Sequence, residues 1–152
     1  METRFHPRNH APALLEPMLA LRNLLNNGSL DASLIHLIDL RASQINGCHF
    51  CVKRHTDEAR HDGEAADRLE QLSTWATSGA FTPDERAALA WTEALTYGAP
   101  SDVIDRLHHQ LRAHFNVTQV CEITLCVAAI NAWNRLGIAA YRESSDASVA
   151  AA

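Results

Sequence analysis

The chain has 152 residues, 47% apolar and 20% charged, with a formal net charge of −5. That length suits one compact domain with a real core, and the composition matches ordinary soluble globular proteins. An acidic chain with no cluster of Lys and Arg among aromatics excludes an electrostatic surface for nucleic acid. No uninterrupted apolar run approaches the roughly 18 residues of a membrane span, and residues 1–10 lack an apolar signal core. The expectation is a cytoplasmic protein with no nucleic-acid and no membrane partner.

Gly and Pro number only 6 and 5, which favours helices over a turn-rich β fold. The first apolar-periodic stretch, 14–25, ends at Asn26-Asn27-Gly28. Pro12 and Pro17 lie near its start. Pro17 is expected in the first turn or as the beginning of the helix proper, because an interior proline costs about 3 kcal/mol. Asp31 or Ser33 can cap a second helix to about residue 44, and Asn46-Gly47 is a strong break. A third helix is expected over 48–62 with Gly63 as its stop, and a fourth over 64–72. Thr82-Pro83-Asp84-Glu85 reads as a capped helix start, and that helix stops at Gly98-Ala99-Pro100. Ser101-Asp102 begins another, ending near residues 115–116. Thr118 can cap the last and longest, reaching about residue 141. Its apolar stretch 123–130 calls for burial on several sides. The tail 144–152 is small and polar and expected to fray. No segment holds the period-2 alternation of a strand. These elements predict an all-α fold of six to eight helices in a single domain, 1–152, with its core at about 12–141.

Of four cysteines, Cys48 and Cys51 form a C-x-x-C, while Cys121 and Cys126 stand five apart. Four are too few for a secreted disulfide scaffold, and in a reducing compartment a C-x-x-C points to redox or metal chemistry. On a helix beginning at Cys48, Cys51 lies about 60° and His55 about 20° from Cys48, so the three share one face. Unpaired N–H groups and the positive end of the helix dipole favour a thiolate there. Lys53 and Arg54 add positive charge, and His55 can take or give a proton. Such a thiolate can attack a peroxide O–O bond to give a sulfenic acid, which a neighbouring cysteine converts to a disulfide. An external reductant then returns the disulfide to the dithiol. Two other readings stay open on these residues alone. One is a zinc site completed by His36, His49 or His61, although no second C-x-x-C completes a familiar zinc spacing. The other is plain core packing.

The stretch Leu40-Arg41-Ala42-Ser43-Gln44-Ile45-Asn46-Gly47-Cys48-His49-Phe50-Cys51, followed by His55-Thr56, resembles the alkyl hydroperoxidase AhpD and carboxymuconolactone decarboxylase-like family. Residues 85–94 and Ile130-Asn131-Ala132-Trp133-Asn134-Arg135 support the likeness, which spans about 34–140. The resemblance implies a helical fold that associates into trimers or hexamers and a peroxidase acting on organic hydroperoxides. It implies Cys51 as the attacking thiol, Cys48 as the resolving one, and His55 in a proton relay. The helix dipole alone would favour Cys48 as the more acidic thiol. The electron donor would be a protein or small-thiol disulfide reductant, and no metal or organic cofactor is implied. The family's full relay carries a glutamate twelve residues before the first cysteine, a position held here by His36. His36 projects with Asp39 and Ser43, and Asp39 can orient it. The same histidine also fits a surface or interface role. Alternatives on the same scaffold are a lactone-acting decarboxylase-like lyase, which needs no dithiol, and a non-catalytic zinc module.

Other residues carry plainer expectations. His49 either tunes access or faces solvent, His61 sits near a helix end, and His108, His109 and His114 lie on the surface or an interface. Cys121 and Cys126 are expected as small core residues, and Trp75, Trp91 and Trp133 as core or interface filling. Asn131 and Asn134 need partners on an apolar helix, and are expected to bond across helices rather than line the dithiol pocket.

Overall fold

A computed structural model describes residues 2–142; the tail expected to fray, 144–152, lies outside the described residues. The fold is all-α, as the periodicity predicts. Among the described residues eight α-helices follow in order: α1 Pro7–His10, α2 Pro12–Asn26, α3 Ala32–Asn46, α4 His49–His61, α5 Ala66–Glu70, α6 Pro83–Tyr97, α7 Ser101–Arg112 and α8 Val117–Ala140. A 3-10 turn, Gln71–Thr74, prolongs α5. Two short strands, β1 Glu2–Thr3 and β2 Tyr141–Arg142, pair antiparallel and tie the start of the chain to the end of α8.

Two helices organise the core. The 24 residues of α8 extend about 36 Å and pack on α2, α3, α4, α6 and α7. One face of α3 joins α8 and α6 in a cluster of Leu34, Ile35, Ile38, Trp91, Ile123, Val127 and others. The opposite face sends Leu37 and Leu40 into a second cluster with Ala59, Leu69, Leu72 and Leu89. Each fully buried aliphatic there contributes about 2 kcal/mol, so α3 is fixed from both sides. Ile123 and Ile130 of α8 are buried, but Val117, Leu125 and Ile138 stand exposed along another side. By length and composition α8 is also apolar enough to cross a membrane, which a search for uninterrupted apolar runs passes over.

The structure corrects three expectations about individual residues. Thr82 and Glu85 form the reciprocal capping box expected at the start of α6. The cap of α8, however, is Asn116, whose side chain accepts from the Gln119 amide while Gln119 accepts from that of Asn116. Thr118 therefore lies inside the first turn. The signal was present as Asn-x-x-Gln, a variant of the same box. Pro17 sits inside α2, not at its start. Pro12 already occupies the first position, and Pro17 faces solvent, so the carbonyl it leaves unbonded can be hydrated. Finally, Cys121 is exposed while Cys126 is buried. Five residues of helix put them on different sides, and only one side meets the core.

Candidate active site

Gly47 ends α3 with φ +66°, a left-handed conformation that costs a residue without Cβ little. The chain turns at once into α4, with Cys48 as its N-cap and Cys51 in its first turn. The two sulfurs are joined in a disulfide with a Cα–Cα distance of 5.2 Å, within the normal span. Cys48 is 2% and Cys51 4% exposed. Both therefore lie where the unpaired amides of α4 converge, as the sequence predicts, yet under cover rather than at an open mouth.

The cover is α8. A Cβ on Gly137 would lie 2.9 Å from the sulfurs of both Cys48 and Cys51, so only glycine lets this helix approach the disulfide so closely. An amide network fixes the approach. Asn46 Nδ2 donates to Oδ1 of Asn131 (3.0 Å) and of Asn134 (2.9 Å). Asn134 donates on to Ser43 Oγ at 2.9 Å, and Asn131 to Thr96 Oγ1 at 3.1 Å. Arg135 Nη1 donates to Asn46 Oδ1 at 2.6 Å. The two amides of α8 thus bond across helices and pin the end of α3 directly before the dithiol.

His55 is 7% exposed, and its Nδ1 lies 2.9 Å from Glu58 Oε2. The Glu58 carboxyl is held down at about 2, chiefly by that hydrogen bond, with burial opposing and Arg54 assisting. An ionised Glu58 only accepts, so Nδ1 carries the proton and Nε2 is left to exchange one. A second carboxylate stands behind the ring. Asp39 Oδ2 is 4.0 Å from His55 Nδ1 and forms an ion pair with Arg22 of α2. Burial would lower the Arg22 guanidinium, but the charge and hydrogen bond of Asp39 raise it above its ordinary value.

His36 takes a different partner from the one expected. Its Nε2 lies 2.8 Å from Asp62 Oδ2, so Asp62, not Asp39, orients it. His36 Nδ1 and Asp39 Oδ1 are both buried without a hydrogen-bond partner among the described residues.

His55 separates two cavities. One, of about 290 Å³, is lined by Cys51, His55, Phe50, Leu15, Leu19, Ile130, Trp133 and Tyr141, with Arg8, Arg22 and Arg54. The other is lined by His36, His55, Asp57, Glu58, His61 and Asp62. Cys48 faces neither but a third cleft beside His49, Gly137 and Arg142. Phe50 and Tyr141, stacked with centroids 4.2 Å apart, stand between the Cys48 and Cys51 sides. The structure thus brings Cys48, Cys51 and His55 together and sets His36 on the far side of His55. Glu58, Arg22 and Gly137 are not singled out by the sequence, and Trp133, expected there as core or interface filling, lines the cavity. Glu58 was readable as the residue three after His55 on the same helix; the other three are long-range neighbours. Among the described residues no group of three or more His, Cys, Asp or Glu is placed to hold a metal ion.

A helical domain that buries a C-x-x-C at a helix start, with a histidine one turn on, defines a dithiol class of fold. The chain belongs to the carboxymuconolactone decarboxylase family, whose model matches residues 12–94. It is 35% identical over 129 residues to the uncharacterized protein YdfG of Bacillus subtilis (strain 168), covering 85% of this chain and 88% of that one. A solved protein of unknown function from Agrobacterium tumefaciens, provisionally described as the antioxidant defence protein AhpD, superposes with a TM-score of 0.82 at 40% identity over 90% of this chain and 94% of that chain. The debrominase Bmp8 shares the fold at a TM-score of 0.76 and 20% identity, over 90% and 74% of the two chains.

Proposed function

We propose that the protein is a thiol peroxidase that reduces organic hydroperoxides through Cys48 and Cys51. The observation that carries this reading is the apolar cavity in which Cys51 and His55 meet. Cys51 alone of the pair faces it, which supports Cys51 as the attacking sulfur although Cys48 stands nearer the helix end. In the reduced protein His55 Nε2 takes the Cys51 proton, and the first turn of α4 stabilises the thiolate. The thiolate attacks the distal oxygen, the O–O bond breaks, and the alkoxide leaves as alcohol with the proton held by His55. Cys51 is then a sulfenic acid. Cys48 attacks its sulfur, water leaves, and the disulfide forms. The sum is one hydroperoxide and two thiols to alcohol, water and disulfide. An external dithiol reductant restores the thiols by exchange.

His36 serves the outer end of this relay. It shares the second cavity with His55, and its partner Asp62 is half exposed, so titratable groups lie between His55 and water. The exposed apolar residues of α8, Val117, Leu125 and Ile138, together with the family likeness, support association of copies of this chain.

The test is hydroperoxide consumption followed alongside thiol titration. The wild-type protein should lose two thiols per peroxide in a single turnover, and Cys51→Ser and Cys48→Ser should each abolish steady turnover. Thiols that stay free in excess hydroperoxide would sink the reading. Activity on a lactone that survives replacing both cysteines would favour a lyase instead. A gain in rate from His36→Glu would show that the histidine weakens the relay, and no change would remove residue 36 from it.

A further inference from the structure

We propose that the cavity beside Cys51 selects hydroperoxides that also carry a carboxylate, and that Arg8 receives it. The inference rests on the peroxidase reading above and names the substrate class of that same site.

The chain as a whole is acidic, at −5, yet the cavity is not. Its lining holds Arg8, Arg22, Arg54, His6 and His55 and no Asp or Glu. The three guanidiniums differ. Arg22 is bound to Asp39, and Arg54 Nε donates to Glu58 Oε1 at 2.8 Å. Both are neutralised from behind, outside the cavity. Arg8, on α1, is exposed, and among the described residues it has no hydrogen bond or ion pair. An unpartnered arginine on a protein surface is ordinarily just hydrated. This one lines the same mainly apolar cavity as Cys51.

The shape of a fitting ligand follows. Leu15, Leu19, Ile130 and Trp133 receive an apolar body, and about 290 Å³ holds a small organic molecule, near the lower end for ligand pockets. The peroxide end must reach Cys51 and His55. The end left towards Arg8 meets a planar fork of N–H donors, which suits a carboxylate bidentately. A neutral alkyl hydroperoxide fills the walls but leaves that fork to water. With no carboxylate in the lining, no wall of the cavity sets a like charge against an anion, and Arg8 offers it an unpaired cation.

Cumene hydroperoxide and its para-carboxy counterpart separate the two cases, since they differ only in the carboxylate. The wild-type kcat/KM should be about fivefold higher for the carboxylated peroxide, the upper end for a solvent-exposed ion pair. The preference should reside in KM and shrink as salt is raised to 1 M. Arg8→Gln should bring the ratio close to one, Arg8→Lys should keep most of it, and Arg60→Gln, outside the cavity, should leave the ratio as it is. Equal kcat/KM for the two peroxides in the wild type, or a preference that survives Arg8→Gln, overturns the proposal. Binding is read separately with 4-isopropylbenzoate, which carries no peroxide, through the tryptophan emission, to which Trp133 in the cavity contributes beside Trp75 and Trp91. Saturable quenching that weakens about fivefold in Arg8→Gln supports the anion site, and its absence in the wild type counts against it. If neither peroxide is consumed, the peroxidase reading fails, and this binding result still decides the present one.

Discussion

The two sides of His55 differ in which charged residues line them. Towards Cys51 the walls are apolar, with arginines and no carboxylate. Towards His36 the same Arg22 and Arg54 are joined by Asp57, Glu58 and Asp62, with the fully buried Asp39 near the ring. An imidazole between such regions is polarised. Its Nδ1 faces negative charge that favours a proton there, which leaves Nε2 as the nitrogen able to accept one. On the proposed peroxidase reading, the direction of proton transfer would be set by the positions of charges around α4 as well as by the two cysteines.

The most damaging way to break this asymmetry is to remove its buried anion. Asp39→Ala leaves Arg22, itself mostly buried, without its counterion. The expected loss is about 3 kcal/mol of folding stability, read as a lower urea midpoint at constant slope. The paired change Arg22→Met with Asp39→Leu should recover much of it, because neither charge is then stranded. If Asp39→Ala costs under about 0.5 kcal/mol, the ion pair does not organise the divide.

Next in size is the lid over the sulfurs. Gly137→Ala places a methyl group 2.9 Å from both sulfurs, inside van der Waals contact. Relief requires α8 to shift against the asparagine network or the disulfide to move. The oxidised protein should lose about 1–3 kcal/mol, the usual cost of overpacking, measured by thermal or urea unfolding without reductant. A neutral result would mean that α8 yields easily at this point.

How much of this divide was readable beforehand depends on how far along the chain each contact reaches. The helices, the break at Asn46-Gly47 and the shared face of Cys48, Cys51 and His55 all follow from spacings within about a turn or two. The acidic side followed only in part. Glu58 lies three residues from His55 and Asp62 caps the same helix, but Arg22 and Trp133 arrive from other helices, and helical spacing carries no information about them. His36 shows the limit well. Spacing suggested Asp39 as its partner one turn on, but the carboxylate that reached it was Asp62, 26 residues away. Asp39 meanwhile turned to Arg22, a full cation that satisfies a buried carboxylate better than an imidazole does. Pro17 and Thr118 went astray for a different reason. Each was a sound local rule outweighed by a better one beside it, Pro12 at the helix start and the Asn116–Gln119 box.

A smaller effect sharpens the acidic side by pH. The Glu58 carboxyl is held near 2 in the folded protein, against an ordinary 4.5, first by His55, with burial opposing and Arg54 adding. Its folded value is below its unfolded one. It therefore adds stability that is fully present above pH 4.5 and is lost as pH falls towards about 2. Because the side chain is more than a third exposed, solvent screening limits the contribution to about 1 kcal/mol or less. Glu58→Gln should accordingly lower stability at pH 7 by that amount and converge on the wild type near pH 2. Curves that stay parallel across this window would mean that the His55–Glu58 bond does not hold in solution.

The smallest perturbation uses a reporter already in the chain. Cys126 lies behind the divide, and its thiol is pushed up to about 12, first by burial and then by the negative charge of Asp39, against the pull of Arg22. Thiols react as thiolates, and at pH 8 a group titrating near 12 is only about one part in ten thousand ionised. Cys121 is exposed and free. Iodoacetamide should therefore modify one residue, Cys121, in the oxidised folded protein. After mild reduction it should modify three, with Cys51 quickest of the disulfide pair because its side opens to the apolar cavity. Cys126 should react only at the rate of unfolding, followed by mass spectrometry of the tryptic peptides. If Cys126 reacts alongside Cys121 in native buffer, water reaches the carboxylate side of His55 freely. The charge divide would then be too well solvated to bias a proton between its two faces.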